Sequence, residues 1–414
     1  MKILIINQHF YPEIAPTGQL MTDLAEDLVK KGVDVTVLTG RPSYNLEACS
    51  CKFQAGSFDY DAPKRERYNG IDIIRVFNTR FSTKYLIYRI PNWLTFYISA
   101  MLKAVFLQRH DVVMALSTPP YIAIMGGLLK SVKGSKFIFC VQDLYPDVVR
   151  DIGLVKNNLI LKALEAISKW IYKKADKIIV LGDAMKKGLI KNGVDEKKIE
   201  VIHNWSDGKE IYPLDKDKNP FIKKYNLEGK FIVLYSGNMT VVHEFEPIKS
   251  AMERLRDKKD ILFLFIGGGT EKKGLEDFVA EKGLPNVVFL PYQPRKELLY
   301  SLNACDVSLV SIKKSAEGNV VPSKFYSCLA VGKPVIAVCA QDSEIASIIK
   351  QNNCGIVEDA NNLHNKIFEL YENPEMRIRM GKNGRDAFMR LYDRNIACNK
   401  YYAVINNLRG ESHA

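Results

Sequence analysis

Short apolar runs alternate along the chain with longer segments in which apolar residues return every three or four positions. Lys2 to Asn7 reads as a buried strand. Gln19 to about Lys31 reads as a helix with Leu20, Leu24 and Leu28 on one face, closed by Gly32 before a strand at Val33 to Leu38. The same grammar predicts strands at Asp111 to Ser117, Lys136 to Val141, Lys177 to Leu181 and Ile199 to Ile202, with helices at Pro119 to Leu129 and Leu159 to Lys174. It restarts at Phe231 to Tyr235 and continues through Ile261 to Ile266, Val287 to Leu290, Val307 to Ile312 and Val335. Helices are expected from Glu246 and over Arg295 to Asn303. Strands alternating with helices in both halves predict an α/β protein of two doubly wound Rossmann-like domains facing across a cleft. Turn-rich His203 to Gly208 and the charged, proline-flanked stretch from Pro213 to Pro220 mark the linker. The expected domains are 1–207, 208–390 and a closing segment 391–414, which holds a last helix at Asn395 to Leu408.

One stretch organises the second half: Glu317 to Ala337, reading EGNVVPSKFYSCLAVGKPVIA. Pro322 and Ser323 suit the start of a helix, Gly332 its C-terminal cap, and Pro334 a stop before a buried strand. A basic residue at the positive end of a helix needs a reason, and Lys324 stands there. A bound phosphate or diphosphate is such a reason; a solvated surface lysine on an ordinary βα unit is the plain alternative.

Composition narrows the class. With 414 residues, 47% of them hydrophobic and 26% charged, the chain is long enough for two cores. The MKILIIN start reads as a strand and lacks the small-residue cleavage site of a signal peptide, so a cytoplasmic location is expected. Cys49 and Cys51 form a close cysteine pair with no second cluster at metal-ligand spacing. Asp59-Tyr60-Asp61 and Asp215-Lys216-Asp217 have an Asp-x-Asp spacing, but neither follows a buried strand, and no metal is expected. A net charge of +12 calls for an anionic partner. No nucleic-acid signature is present, which leaves an acidic small molecule or an anionic membrane surface.

From Ile73 to His110 there is no acidic residue, and basic side chains are interleaved with rings. Tyr85, Tyr88, Arg89, Trp93 and Phe96 are the candidates for a membrane and acceptor side, because rings and cations together favour the headgroup level. Asn92, Ser99, Lys103 and Pro91 make the segment a poor spanning helix. An amphipathic core helix with a basic edge fits the periodicity equally well. At the end of the Lys136 strand, Gln142 and Asp143 sit where open α/β sheets bind ligands. Asp143 can orient a sugar hydroxyl or an acceptor, or simply cap a helix.

The segment VVPSKFYSCLAVGKPVIA resembles the donor-binding segment of family 4 retaining glycosyltransferases of the GT-B fold, and is most similar to the colanic-acid fucosyltransferase-like and N-acetylfucosamine transferase-like branch. Tyr235 to Met239 and His203 to Ser206 resemble that branch too. The resemblance implies a donor site built from Thr17, Gly18, Gly237, Asn238, Pro291, Tyr292, Glu317, Asn319, Pro322, Ser323, Lys324 and Phe325. Pro291 and Tyr292 would lie near the base, and the Gly237 loop amides near the diphosphate. Two departures stand out. The broader family's Glu-x7-Glu falls on Asn319 and Ser327, and its Arg and Lys after the first loop glycine fall on Asn238 and His243.

Transfer with retention from a nucleotide diphosphate sugar, UDP- or GDP-linked, is the activity this resemblance implies. No cofactor is implied beyond that substrate. Lys324 would stabilise the leaving diphosphate and Asp143 would serve the acceptor, a polyprenyl-diphosphate-linked saccharide at the inner face of the cell membrane. A GT-B nucleotide-sugar epimerase and a non-catalytic partner of a transferase are the competing readings.

Overall fold

The computed structural model describes residues 1–13, 15–42, 64–81, 86–151, 153, 155, 157–358 and 362–410. Cys49, Cys51, Asp59, Asp61 and Tyr85 lie outside them. The chain divides into two compact units, Met1–His203 with Ala397–Ala414, and Asn204–Ile396.

In the first unit, β1 (Lys2–Ile6) leads to α1 (Pro16–Lys30) and β2 (Asp34–Gly40), then to a hairpin of β3 (Arg65–Tyr68) and β4 (Ile71–Val76). α2 (Leu86–Phe106), β5 (Val112–Leu116), α3 (Ile124–Lys133) and β6 (Lys136–Cys140) follow. The unit continues through α4 (Asp147–Asp151), α5 (Asn158–Lys174), β7 (Lys177–Val180), α6 (Asp183–Lys191) and β8 (Ile199–Val201). The described strands form a sheet in the order β3-β4-β2-β1-β5-β6-β7-β8, parallel except for the β3 edge. Ile3 to Ile6 and all of β5 are buried, as expected for strands covered by helices on both faces.

The second unit opens with α7 (Pro220–Lys224) and β9 (Phe231–Ser236), then α8 (Glu246–Arg254), β10 (Ile261–Ile266), α9 (Lys272–Lys282) and β11 (Val287–Leu290). Next come α10 (Leu298–Leu302), β12 (Val307–Ser311), α11 (Lys324–Ala330), β13 (Val335–Val338), α12 (Glu344–Asn352) and β14 (Gly355–Glu358). α13 (Leu363–Glu372) and α14 (Pro374–Leu391) complete this unit, and α15 (Arg394–Gly410) follows, its residues from Ala397 onward belonging to the first unit. The sheet order β11-β10-β9-β12-β13-β14 reverses direction between β9 and β12. That reversal makes their ends the switch point where open sheets take ligands.

Three local expectations change. α1 starts at Pro16 rather than near Gln19, with the proline in the position where its missing N–H costs nothing. α3 starts at Ile124, not Pro119: Pro120 disfavours helical geometry at the residue before it, and Tyr121 takes φ +66°. The β3–β4 hairpin was not foreseen, although Asn69 and Gly70, both at positive φ, are a turn signature.

α2 gives the basic, aromatic stretch one buried and one exposed side. Asn92, Phe96, Ala100 and Ala104 face the core, and Phe96 is fully buried, so its ring does not belong to an exposed surface. Tyr88 is exposed, while Arg89 and Trp93 are partly buried. Asn92 is satisfied inside: Oδ1 accepts from the Phe81 N–H at 3.0 Å and the Thr79 hydroxyl at 2.8 Å, and Nδ2 donates to the Phe81 carbonyl at 2.9 Å. Among the described residues no helix is long and apolar enough to cross a membrane.

Candidate active site

Two loops at the strand ends of the second unit interlock through their backbones. The Gly237 N–H donates to the Ile266 carbonyl at 2.8 Å and the Met239 N–H to the Gly268 carbonyl at 2.7 Å. Gly267 and Gly269 have φ of +136° and +139°. A Cβ on Gly267 would stand 2.2 Å from the Gly237 oxygen, and one on Gly269 2.1 Å from the Met239 oxygen. Only glycine fits at either place. This explains the cluster Gly267-Gly268-Gly269, in which Lys272 stands where a dinucleotide-binding fingerprint would need its third glycine. It also corrects one expectation, since the Gly237 and Met239 amides are already used between loops.

Lys324, the first residue of α11, reaches into the space that Gly237 leaves open. A Cβ on Gly237 would lie 3.4 Å from the lysine Cδ. The Lys324 Nζ sits 3.5 Å from the centroid of the Tyr235 ring and is buried without a hydrogen-bond partner. Burial pulls its pKa down to about 7, with nearby Cys328 acting in the opposite direction. Tyr235 is itself fixed, its hydroxyl donating to the Asn238 carbonyl at 2.9 Å. Beside it, the buried His243 donates from Nδ1 to the Ser311 carbonyl at 2.8 Å. Burial and the positive charge of Lys324 hold that imidazole neutral, its pKa lowered to about 3.

The remaining donor-side candidates divide. Tyr292 joins the cluster by donating its hydroxyl to the Asn238 side chain, and its ring is 3.1 Å from where a Cβ on Gly268 would be. Pro291 is exposed, and its carbonyl accepts from Gln293 Nε2 at 2.9 Å. Glu317 is turned toward the end of β13, one carboxylate oxygen accepting the Ala340 N–H at 2.6 Å. Burial raises its pKa. Asn319 and Pro322 are buried and Ser323 is half-buried. Two expectations for the α11 start are corrected. Phe325 is wholly buried in the core and offers no side-chain surface to a ligand. The N–H groups of Phe325 and Tyr326 turn back onto the Pro322 and Ser323 carbonyls at 3.1 and 3.2 Å, and Ser323 makes no side-chain cap. The first turn therefore presents fewer free amides than the sequence promised. A cavity of about 680 Å³ lies nearby, at the ends of β12 and β13, lined by Glu244, Arg254, Lys314 and Ala340 among others.

In the first unit the polar groups gather around the neighbours β1, β5 and β6. Thr17 and Gly18 fall in the first turn of α1. There the missing Cβ of Gly18 admits the His9 and Phe10 backbone, 3.3 to 3.4 Å from where it would stand. The close approach that this glycine allows is thus to its own loop. Within that loop His9 Nδ1 and the buried Glu13 carboxylate lie 3.0 Å apart, a pair at i, i+4 spacing that sequence reading passed over. Asp143 is held by both ends: its N–H donates to Ser117 Oγ at 3.0 Å and its carboxylate accepts from Thr118 Oγ1 at 3.1 Å. Burial raises its pKa to about 6 despite the Thr118 bond. Burial raises the pKa of the Tyr145 phenol, and the Asp143 carboxylate adds to the shift. Among the described residues no three His, Cys, Asp or Glu gather as a metal site would need.

Two family models match in tandem: Glycosyltransferase Family 4 over residues 17–208 and Glycosyl transferases group 1 over residues 217–387. The chain belongs to glycosyltransferase family 4. This family 4 chain is 30% identical to the Pseudomonas aeruginosa protein named as the glycosyltransferase WbjE, over 60% of its own length and 62% of WbjE's, less than two thirds of that relative. It is 25% identical to WcaI of Escherichia coli (strain K12), named for colanic acid biosynthesis, over 84% of the chain and 86% of WcaI. Solved structures agree on the GT-B fold. Sucrose-phosphate synthase from Thermosynechococcus elongatus superposes with a TM-score of 0.78 at 18% identity, covering 99% of both chains. Anabaena HepE in complex with UDP-glucose gives 0.72 at 14% identity, covering 98% of this chain and 100% of that one. Against the broader family 4 pattern, the two glutamate positions hold the buried Asn319 and the half-buried Ser327, whose hydroxyl donates to Ser206 Oγ at 3.3 Å.

Proposed function

We propose that this family 4 enzyme moves a deoxy or N-acetylated sugar from a nucleotide diphosphate donor, UDP- or GDP-linked, to a polyprenyl-diphosphate-linked glycan, with retention at the anomeric carbon. The bond between the anomeric carbon and the diphosphate oxygen breaks, a bond to an acceptor oxygen forms, and the acceptor hydroxyl loses its proton. The pathway is the assembly of a surface polysaccharide (capsule, O-antigen or exopolysaccharide), a reading supported by the name of WcaI. The enzyme works while attached peripherally to the inner face of the cell membrane, where its acceptor lies.

One observation carries the reading: a buried, unpartnered lysine nitrogen at the switch point of the second sheet. Negative charge that grows on the leaving diphosphate is what such a cation is placed to meet. With the Gly237 and Met239 amides engaged, Lys324 carries most of that duty. Asp143, with a pKa near 6, takes the acceptor proton.

Purified protein given a panel of nucleotide sugars and a polyprenyl-diphosphate-sugar acceptor tests it. Acceptor-dependent release of nucleoside diphosphate, lost steeply in Lys324→Ala, is the expected result. Epimerised sugar without transfer would overturn it.

A further inference from the structure

We infer that the outward side of α2, continued over α3 and the first turn of α5, is the surface by which the protein lies on a bilayer containing anionic phospholipid. This deepens the membrane attachment proposed above and rests on that part of the reading.

Ile90, Leu94, Ile98, Leu102 and Phe106 recur every four residues along α2 and are 50 to 84% exposed, with Val105 beside the last two at 52%. At 1.5 Å per residue they form an unbroken apolar row about 24 Å long. The opposite side of the helix is already committed to the core through Phe96, Ala100 and Ala104, so the row is a second apolar face. A helix facing water on that side would carry polar residues there. α2, α3 and α5 pack side by side. The row is extended by Val132 and Leu128 on α3, exposed to 74 and 37%, and by Leu159 and Ile160 on α5, exposed to 77 and 50%. Gly126 and Gly127 let α3 sit tightly here, since Cβ atoms on them would strike the Phe137 ring and the Trp170 indole.

Charge identifies the occupant. Between Ile73 and Gln142 there are nine Lys and Arg residues, of which Arg75 is buried against Glu66 and Lys130 pairs with Asp176, and one acidic residue, Asp111, whose carboxylate accepts the Lys2 backbone N–H at 2.7 Å. Exposed Lys103 follows Leu102 in the row, and Arg109 is exposed just past its end. The Lys133 ammonium donates to the carbonyls of Ala104 and Leu107, which fixes a positive charge at the end of α2. An apolar row edged by cations matches the boundary of acyl chains and anionic headgroups. A second copy of the chain would set these cations against one another.

The test is flotation of the full-length protein with phosphatidylcholine vesicles, with and without phosphatidylglycerol. It is run for the wild type, for Leu94→Gln/Ile98→Gln/Leu102→Gln and for Lys103→Glu/Arg109→Glu. The wild type should float with phosphatidylglycerol vesicles, and each variant should lose about tenfold in binding, at unchanged Tm and unchanged turnover on a short-chain, water-soluble acceptor. Undiminished binding by the apolar variant, or equal wild-type binding to neutral vesicles, would overturn the inference. So would light scattering showing that the apolar variant turns a lipid-free oligomer into monomers. Loss-of-binding variants in a protein that transfers no sugar to any acceptor would sink the transferase reading and still support this face.

Discussion

Lys324 and Tyr235 are stacked cation over ring, 3.5 Å from nitrogen to centroid, in a site where the nitrogen has no hydrogen bond. The consequence is a pH dependence with a definite sign. The folded pKa is about 7 and the ordinary value 10.5, so between those values the unfolded chain binds the proton more strongly. Stability tied to this residue is present above pH 10.5 and is lost as pH falls through 7. Lys324→Met should therefore raise Tm relative to wild type most at pH 6 and progressively less toward pH 10. A constant difference would mean an ordinary lysine. Calorimetry offers an independent check: nucleoside diphosphate binding at pH 8 should take up about one proton in the wild type and none in the variant.

Gly267 meets the Gly237 carbonyl, and its backbone is at φ +136°. Gly267→Ala combines a backbone clash with a left-handed conformation, and should cost roughly 2–4 kcal/mol in urea unfolding. Gly274, with nothing near its missing Cβ and set inside α9, is the control. Gly274→Ala should be neutral or mildly stabilising.

Asp143, raised to about 6, is a carboxylate above that pH. If it takes the acceptor proton, turnover rises as pH climbs through 6. Asp143→Asn should cut kcat about 100-fold at pH 7, abolish that limb and leave donor binding intact. Thr118→Val removes the hydrogen bond that lowers this pKa, so the limb should move to higher pH. Lower stability with an unchanged profile would assign Asp143 to loop anchoring alone.

The parallel sheets were legible because their strands are continuous apolar runs, and the end of α11 because Gly332 is at φ +66°. What stayed hidden depends on distant partners. The burial of the Lys324 nitrogen needs the vacancy at Gly237, far away in sequence, and the glycines at 267 and 269 make sense only beside the carbonyls of another loop. Phe96 was misplaced for a different reason. α2 carries two apolar stripes, and periodicity says that stripes exist without saying which one faces inward. His9 and Glu13 escaped notice because their spacing is unremarkable until the loop folds them together.

The Asn92 side chain makes its three bonds to residues 79 and 81. Asn92→Ala would leave the Phe81 N–H and carbonyl short of partners, at about 1–3 kcal/mol in thermal or urea unfolding.

Those bonds also act like a key in a lock cylinder. An α-helix turns 100° per residue, so slipping α2 by a single position would carry the row of Ile90, Leu94, Ile98 and Leu102 well away from its outward bearing. A polar side chain that never sees solvent thus sets the compass direction of the surface row. Substituting it should be felt first at the far side of the helix, where no atom of Asn92 reaches.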